Sequence, residues 1–296
     1  MSPGDPEGDS PLDPATASLT SPRVVARLLA RHGLRADKGF GQHFLIDPSV
    51  ISAVVDAAGI GRGDEVWEVG PGLGVLTRAL SAVAAKVVSV ELDTRLLPLL
   101  RETLAHAANV ELLAADALRV DLSRAAPGSH FAANLPYNVG TAVLVRVLTA
   151  NRFARVGVLL QREVAERLVA LPGTKAYGSL SLLVAHHGRA RIVRRVAPGA
   201  FVPPPTITSA VVHIELEPDV VADPRTFALV RAGFRHRRKT LLANLRLAGL
   251  DARVAAAALA AQGLDPRVRA EALDLATFRA LAGRLPALGV RDGTHA

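Results

Sequence analysis

The sequence predicts an α/β protein with a mostly parallel seven-strand sheet, followed by a small all-helical C-terminal domain. Three observations carry this. Between Glu65 and Val169, short apolar runs alternate with helical patterns, which is the signature of βαβ units. Two further strand-like runs, Arg191–Val196 and Ala210–Leu216, then follow one another across a proline-rich turn. From Pro224 onward every periodic segment reads as helix.

The 296 residues are 50% hydrophobic, enough for one large core and a smaller second one. Cysteine is absent, so disulfides, thiolate metal sites and cysteine nucleophiles are excluded, and no metal is expected. No uncharged apolar run is long enough to span a bilayer and the N-terminus lacks a signal-peptide layout, so a cytoplasmic protein with no membrane partner is expected, acting as a monomer. Residues 1–22 hold Asp5, Glu7, Asp9 and Asp13, no Lys or Arg, and five of the 19 prolines. That composition predicts a disordered tail. The rest of the chain sets all 35 Lys and Arg against 23 acids, a balance of +12, which points to a polyanionic partner.

A helix over 23–33 carries Arg23, Arg27 and Arg31 as a stripe. Asp47 and Pro48 read as N-cap and first position of a helix over 48–58. Strands are expected at Glu65–Val69, Val87–Glu91, Val110–Ala114, His130–Ala133 and Val156–Leu160. Helices are expected from Val75, over Thr94–His106, over 139–150 and over Glu163–Val169. The two later strands pair as an antiparallel hairpin on the sheet edge. Helices over 224–232, 237–247, 252–262 and 274–284 complete the chain. The expected units are 23–217 and 218–288, with a flexible tail at 289–296.

Glu68-Val-Gly70-Pro-Gly72-Leu-Gly74 lies between a strand and a helix, where glycines let the backbone turn and approach a ligand. A nicotinamide loop spaces its glycines G-x-G-x-x-G, whereas Val75 fills the third position here and Pro71 removes an N–H that a pyrophosphate would use. G-x-G-x-G after an acid resembles an S-adenosylmethionine loop instead. Glu91, at the end of the second strand, is placed to accept both ribose hydroxyls, and Asp116, past the third, to accept from an adenine amine. Each acid alone reads more readily as a solvated strand end; the succession of the two is what the ligand needs.

Asn134-Leu135-Pro136-Tyr137 follows the fourth strand. Methylating an exocyclic amine requires acceptors for the amine hydrogens, which the Asn134 side-chain oxygen and a main-chain carbonyl of Leu135 or Pro136 supply. Pro136 stiffens the loop, and Tyr137 offers a face to a flipped base. Phe201, on the turn Phe201-Val-Pro-Pro-Pro205, is the candidate for the opposite face.

The chain closely resembles the bacterial KsgA-type ribosomal RNA adenine dimethyltransferases, from about Gly39 to Leu281. The resemblance rests on Gly41-Gln-His-Phe-Leu-Ile-Asp47, Glu68–Gly74, Val90-Glu-Leu-Asp93, Asp116 and Asn134-Leu-Pro-Tyr-Asn138. It continues through Gln161–Arg167, Lys175-Ala-Tyr-Gly178, Phe201–Pro205, Ser209-Ala-Val-Val212 and Phe234–Leu241. It implies a Rossmann-like methyltransferase sheet and a cofactor site of His43, Leu45, Gly70, Glu91, Asp116 and Asn134, to which the glycine loop adds Gly72. The reaction it implies is N6,N6-dimethylation of two adjacent adenosines in the 3′-terminal hairpin of 16S RNA, in the small subunit or its precursor. His43 stands where the family often has Asn, and Thr206 and Thr208 where Lys and Asp are common.

Arg231, Arg235, Arg237, Arg238 and Lys239 open the helical domain, and Arg189, Arg191, Arg194 and Arg195 crowd the hairpin. Each cluster reads equally as a solvated face; together they resemble an RNA-backbone footprint, with Arg235, Arg237, Arg238 and Lys239 as the named contacts. Three other readings compete. One is a large-subunit RNA methyltransferase of the macrolide-resistance type, against which Phe234–Leu241 and Arg269-Ala-Glu-Ala-Leu273 speak. Another is a DNA adenine methyltransferase, which needs a larger recognition region. The third is a ribosome-assembly factor whose binding outweighs its chemistry.

Overall fold

The computed structural model describes residues 13, 14, 17–36 and 42–288. The expected tail at 289–296, most of the expected N-terminal tail and the Lys38–Gly41 stretch lie outside the described residues.

The chain enters through α1 (Pro22–Arg31), where Ser21 caps the first turn and Val25, Leu28 and Leu29 face inward. Its Arg31 pairs with Glu102 at 3.2 Å. A two-residue strand, β1 (Phe44–Leu45), precedes α2 (Pro48–Ala58), whose N-cap Asp47 accepts from Ser49 and Val50 as the Asp-Pro pair predicts. The βαβ succession follows: β2 (Glu65–Val69), α3 (Val75–Ser81), β3 (Lys86–Glu91), α4 (Leu97–Thr103) and β4 (Val110–Ala114). Then come β5 (Ser129–Asn134), α5 (Gly140–Thr149), β6 (Phe153–Gln161), α6 (Arg162–Leu168) and α7 (Ser179–His187). Last come β7 (Gly188–Val196), β8 (Phe201–Val202), which pairs only with β1 in a separate two-stranded sheet, and β9 (Ser209–Leu216).

Seven strands form one sheet in the order β4-β3-β2-β5-β6-β9-β7. The first five run parallel, and β9 pairs antiparallel with both β6 and β7. The expected hairpin therefore exists, but β9 is its inner strand and only β7 lies at the edge. The sheet is wound outward from β2 in both directions, which opens a crevice at the carboxyl ends of β2, β3 and β5. Helices α2 and α3 cover one face through Val50, Val54, Leu76 and Leu80, and α5 to α7 cover the other through Val143, Leu144, Leu168 and Val184. Gly157 lets β6 lie against α2: a Cβ there would stand 2.4 Å from Ala58 N and 2.5 Å from Val54 O.

The helical domain comprises α8 (Pro224–Phe234), α9 (Leu241–Leu247), α10 (Ala252–Ala260) and α11 (Leu275–Arg284). Helix α9 begins later than expected because Thr240 is its N-cap, accepting from Ala243 N at 3.2 Å. The expected boundary at 217/218 does not bound the core. Tyr177 and Leu182 pack among Leu229, Leu245, Phe278 and Leu281, and Tyr177 Oη donates to Leu273 O at 2.9 Å. Helix α7, unanticipated in the sequence, is the reason. It touches α5 and α6 on one side and α8 and α11 on the other, so apolar residues surround it and no amphipathic stripe marks it.

The expectation of a disordered tail over 1–22 also needs correction. Leu19 is 4% exposed, packed with Val25, Leu28 and Phe44, and Ser21 begins α1. Tertiary contacts supply the burial that composition alone does not predict.

Candidate active site

The loop after β2 turns on Gly70, Gly72 and Gly74, with φ of +72°, +58° and +86°. At Gly72 a Cβ would meet the Phe44 ring at 3.2 Å and crowd it, and the left-handed φ already disfavours any other residue. Glu91, at the end of β3, is nearly buried and accepts from Asp93 N at 2.8 Å. Burial raises its pKa, against the lowering effect of backbone donors at Asp93, Gly72 and Leu92. Asp116, past β4, accepts from Leu118 N at 2.8 Å and lies 3.7 Å from Arg119.

Beneath the glycine loop lies Glu68, 1% exposed. Its Oε2 accepts from Thr77 Oγ1 at 2.7 Å and Ser89 Oγ at 2.8 Å. Burial pushes its pKa up to about 7 in spite of those donors, and the neighbouring Glu91 charge adds to the rise. Asp93 is a residue that motif reading left without a role. It accepts from Gln42 Nε2 at 3.0 Å and from Arg95 Nε at 2.7 Å, and the Arg95 hydrogen bond holds its carboxyl below the usual range. The pair ties the loop before β1 to the floor of the crevice.

On the other side, Asn134 ends β5, and Leu135 N donates to Leu159 O at 3.0 Å. Asn134 Nδ2 donates to His43 O at 3.2 Å, which leaves Oδ1 as the acceptor the amide can offer. The Pro136 carbonyl accepts from Gly140 N at 2.7 Å where α5 begins. Of the two carbonyls the sequence leaves open, that of Leu135 is therefore the better second acceptor. Tyr137 pairs through its hydroxyl with Ser209 Oγ at 2.5 Å, and burial raises its pKa. Its ring stands 5.5 Å from that of His43 at 33°. His43 Nδ1 lies 2.8 Å from Pro203 O, and since a carbonyl only accepts, Nδ1 carries the hydrogen.

The expected cofactor residues and the tetrapeptide line one cavity. The fold thus brings together segments at 42–45, 68–76, 90–96, 115–117 and 134–139. Leu19 lines it too, a contribution no motif signals.

One expectation fails. Phe201 is 2% exposed and packs with Leu45, Val50 and Ile51, because β8 pairs with β1 in the register Leu45↔Phe201. Its ring is core and presents no face to a base in the cavity. Arg237 is exposed and also engaged locally: Nη2 donates to Lys175 O at 2.6 Å and lies 3.6 Å from Glu271. Arg235, Arg238 and Lys239 are exposed at the start of the helical domain.

Comparison with known proteins agrees with this geometry. The profile of the family described as "Ribosomal RNA adenine dimethylase" matches residues 33–283. The chain is 43% identical to ribosomal RNA small subunit methyltransferase A of Deinococcus radiodurans over 290 residues, 96% of this chain and 99% of that protein. With the protein of the same name from Geobacillus thermodenitrificans it shares 41% identity, across 90% and 97% of the two chains. Among solved structures, a dimethyladenosine transferase from Plasmodium falciparum superposes with a TM-score of 0.67 at 23% identity, over 80% of this chain and 95% of that one, a likeness of fold. The 23S rRNA methyltransferase ErmE superposes at 0.62 with 25% identity, over 81% and 98%. The chain belongs to the ribosomal RNA adenine dimethylase family.

Proposed function

We propose that the cavity binds S-adenosylmethionine and that the chain dimethylates N6 of adenosines in 16S ribosomal RNA, the substrate class that the names of its relatives carry. The observation that carries the catalytic assignment is the amide of Asn134. Its nitrogen is committed to His43 O, so Oδ1 is held as an acceptor at the rim of a cavity that also contains Glu91 and Asp116.

S-adenosylmethionine supplies a methyl group on a sulfonium, an electrophile that needs no metal. The residues of this chain then have to bind the nucleoside end and make N6 of the target a better nucleophile. Glu91 is suited to two ribose hydroxyls and Asp116 to the adenine amine of the cofactor. The glycine loop leaves room for main chain to approach. Asn134 Oδ1 and Leu135 O accept the N6 hydrogens of the target, which holds the lone pair out of conjugation with the ring. Tyr137, anchored by Ser209, supplies one stacking face, at about 1–3 kcal/mol per stacked base. Phe201 supplies none. Arg235, Arg238 and Lys239 are the proposed phosphate contacts, and Arg237 stabilises the loop beside them.

Transfer of a tritiated methyl group to small subunits isolated from an unmethylated strain, with the modified bases mapped, tests the proposal. Label on adjacent adenosines near the 3′ end of 16S RNA is expected. Label on large-subunit RNA would favour an ErmE-like activity instead. An inactive Glu91→Ala variant that still restored subunit assembly in cells would make binding the essential role.

A further inference from the structure

One wall of the cavity draws on two residues outside the motifs, Leu19 and Leu96. It is apolar and comes from a cluster in which Leu19, Phe44, Leu73 and Leu96 line the cavity, with Val25, Leu28, Leu99 and Leu100 packed behind them. Leu19 comes from the proline- and acid-rich segment whose composition predicts no packed structure, yet it is 4% exposed.

Arg78 explains how that segment is held. From α3 its Nε donates to Thr103 O at 2.8 Å, its Nη1 to Ala17 O at 2.7 Å, and its Nη2 to Pro14 O. All three acceptors are main-chain carbonyls, so the grip is indifferent to the side chains of the segment it holds. The Thr103 carbonyl is one of the acceptors left over at the end of α4, where a cation also complements the helix dipole. Burial lowers the Arg78 pKa, and the charge of Asp13 works against that by favouring the guanidinium. At its other end the segment runs into α1, fixed by the Ser21 cap and by burial of Val25 and Leu28.

We propose that residues 17–21 form a strap that completes the cofactor site, with Leu19 packing against bound S-adenosylmethionine and Arg78 positioning the strap. This rests on the cavity being the S-adenosylmethionine site. Among the described residues the strap adds an apolar surface and no polar group to the cavity, so it acts on cofactor affinity and leaves the transfer step alone. Truncating Leu19 removes three carbons, of which only the part that faces the cavity contributes, so a loss of affinity on the order of tenfold is expected.

The test is calorimetric binding of S-adenosylhomocysteine to the full chain, comparing the natural sequence with Leu19→Ala, Arg78→Ala and Leu28→Ala. The last lies in the same cluster but not on the cavity, and so controls for loss of packing alone. Each variant is measured below its own unfolding transition. Kd is expected to rise about tenfold for Leu19→Ala and Arg78→Ala and to stay within about twofold for Leu28→Ala. In parallel, hydrogen exchange on the natural protein should slow at 17–21 when the ligand is added, a reading that survives if Arg78→Ala does not fold. Unchanged Kd for Leu19→Ala, or protection of Gly72–Gly74 without protection of 17–21, overturns the strap. If the natural protein does not bind S-adenosylhomocysteine, the cofactor reading itself falls, and the strap with it.

Discussion

Asn134 Nδ2 donates to the main-chain carbonyl of His43 at 3.2 Å, joining the end of β5 to the loop before β1. This bond does two things. It fixes which end of the amide faces the cavity, and it makes the target-base acceptor depend on a loop 91 residues away. Loss of the side chain at Asn134 should therefore damage transfer far more than cofactor binding. For Asn134→Ala we expect kcat to fall at least about a hundredfold, the scale of losing one preorganised partner of a transition-state charge, with Kd for S-adenosylhomocysteine changed only a few-fold. Asn134→Asp should be no better, since a carboxylate cannot donate to His43 O. Near-normal kcat in either variant would remove Asn134 from the chemistry.

The buried Glu68 should make stability pH-dependent. Its pKa rises from 4.5 in the unfolded chain to about 7 in the fold, so the folded state binds the proton more tightly. Its contribution is then most favourable below about pH 4.5 and is lost as pH rises through 7. Melting temperature should fall between these values for the natural protein and fall less for Glu68→Gln, whose amide oxygen still accepts from Thr77 and Ser89. Parallel curves for the two would show that Glu68 is not the titrating group.

The basic cluster should divide by role. Replacing Arg235, Arg238 and Lys239 with Ala should flatten the salt dependence of RNA binding by roughly 0.7–0.9 in log–log slope for each phosphate contact removed. Arg237→Ala should change that slope less than the triple variant does and lower stability by at most about 1 kcal/mol, because its bonds to Lys175 and Glu271 hold the loop against the helical domain from an exposed position. Equal slopes for the triple variant and the natural protein would place the RNA elsewhere.

Phe201 offers a direct contrast between core and stacking. Phe201→Ala should cost about 3–5 kcal/mol of folding stability, the range for deleting a fully buried aromatic. Phe201→Leu, which refills most of the volume, should restore both stability and activity. A stable Phe201→Leu variant with activity lost would return the ring to the target base.

The sequence by itself determined the sheet class, the glycine loop and the positions of Glu91, Asp116 and Asn134. Those features are local: alternating apolar runs set strands and helices, and side chains at strand ends meet at one edge of a parallel sheet whatever lies between them. Only the tertiary structure decided what depends on partners distant in the chain. Phe201 looked like a ligand-binding residue until pairing with Leu45 claimed it for the core, and the bond from Arg237 to the Lys175 carbonyl is visible only in the fold. Helix α7 carries no amphipathic stripe because neighbours surround it, and Leu19 is ordered because Arg78 grips main-chain carbonyls that no side-chain pattern can announce.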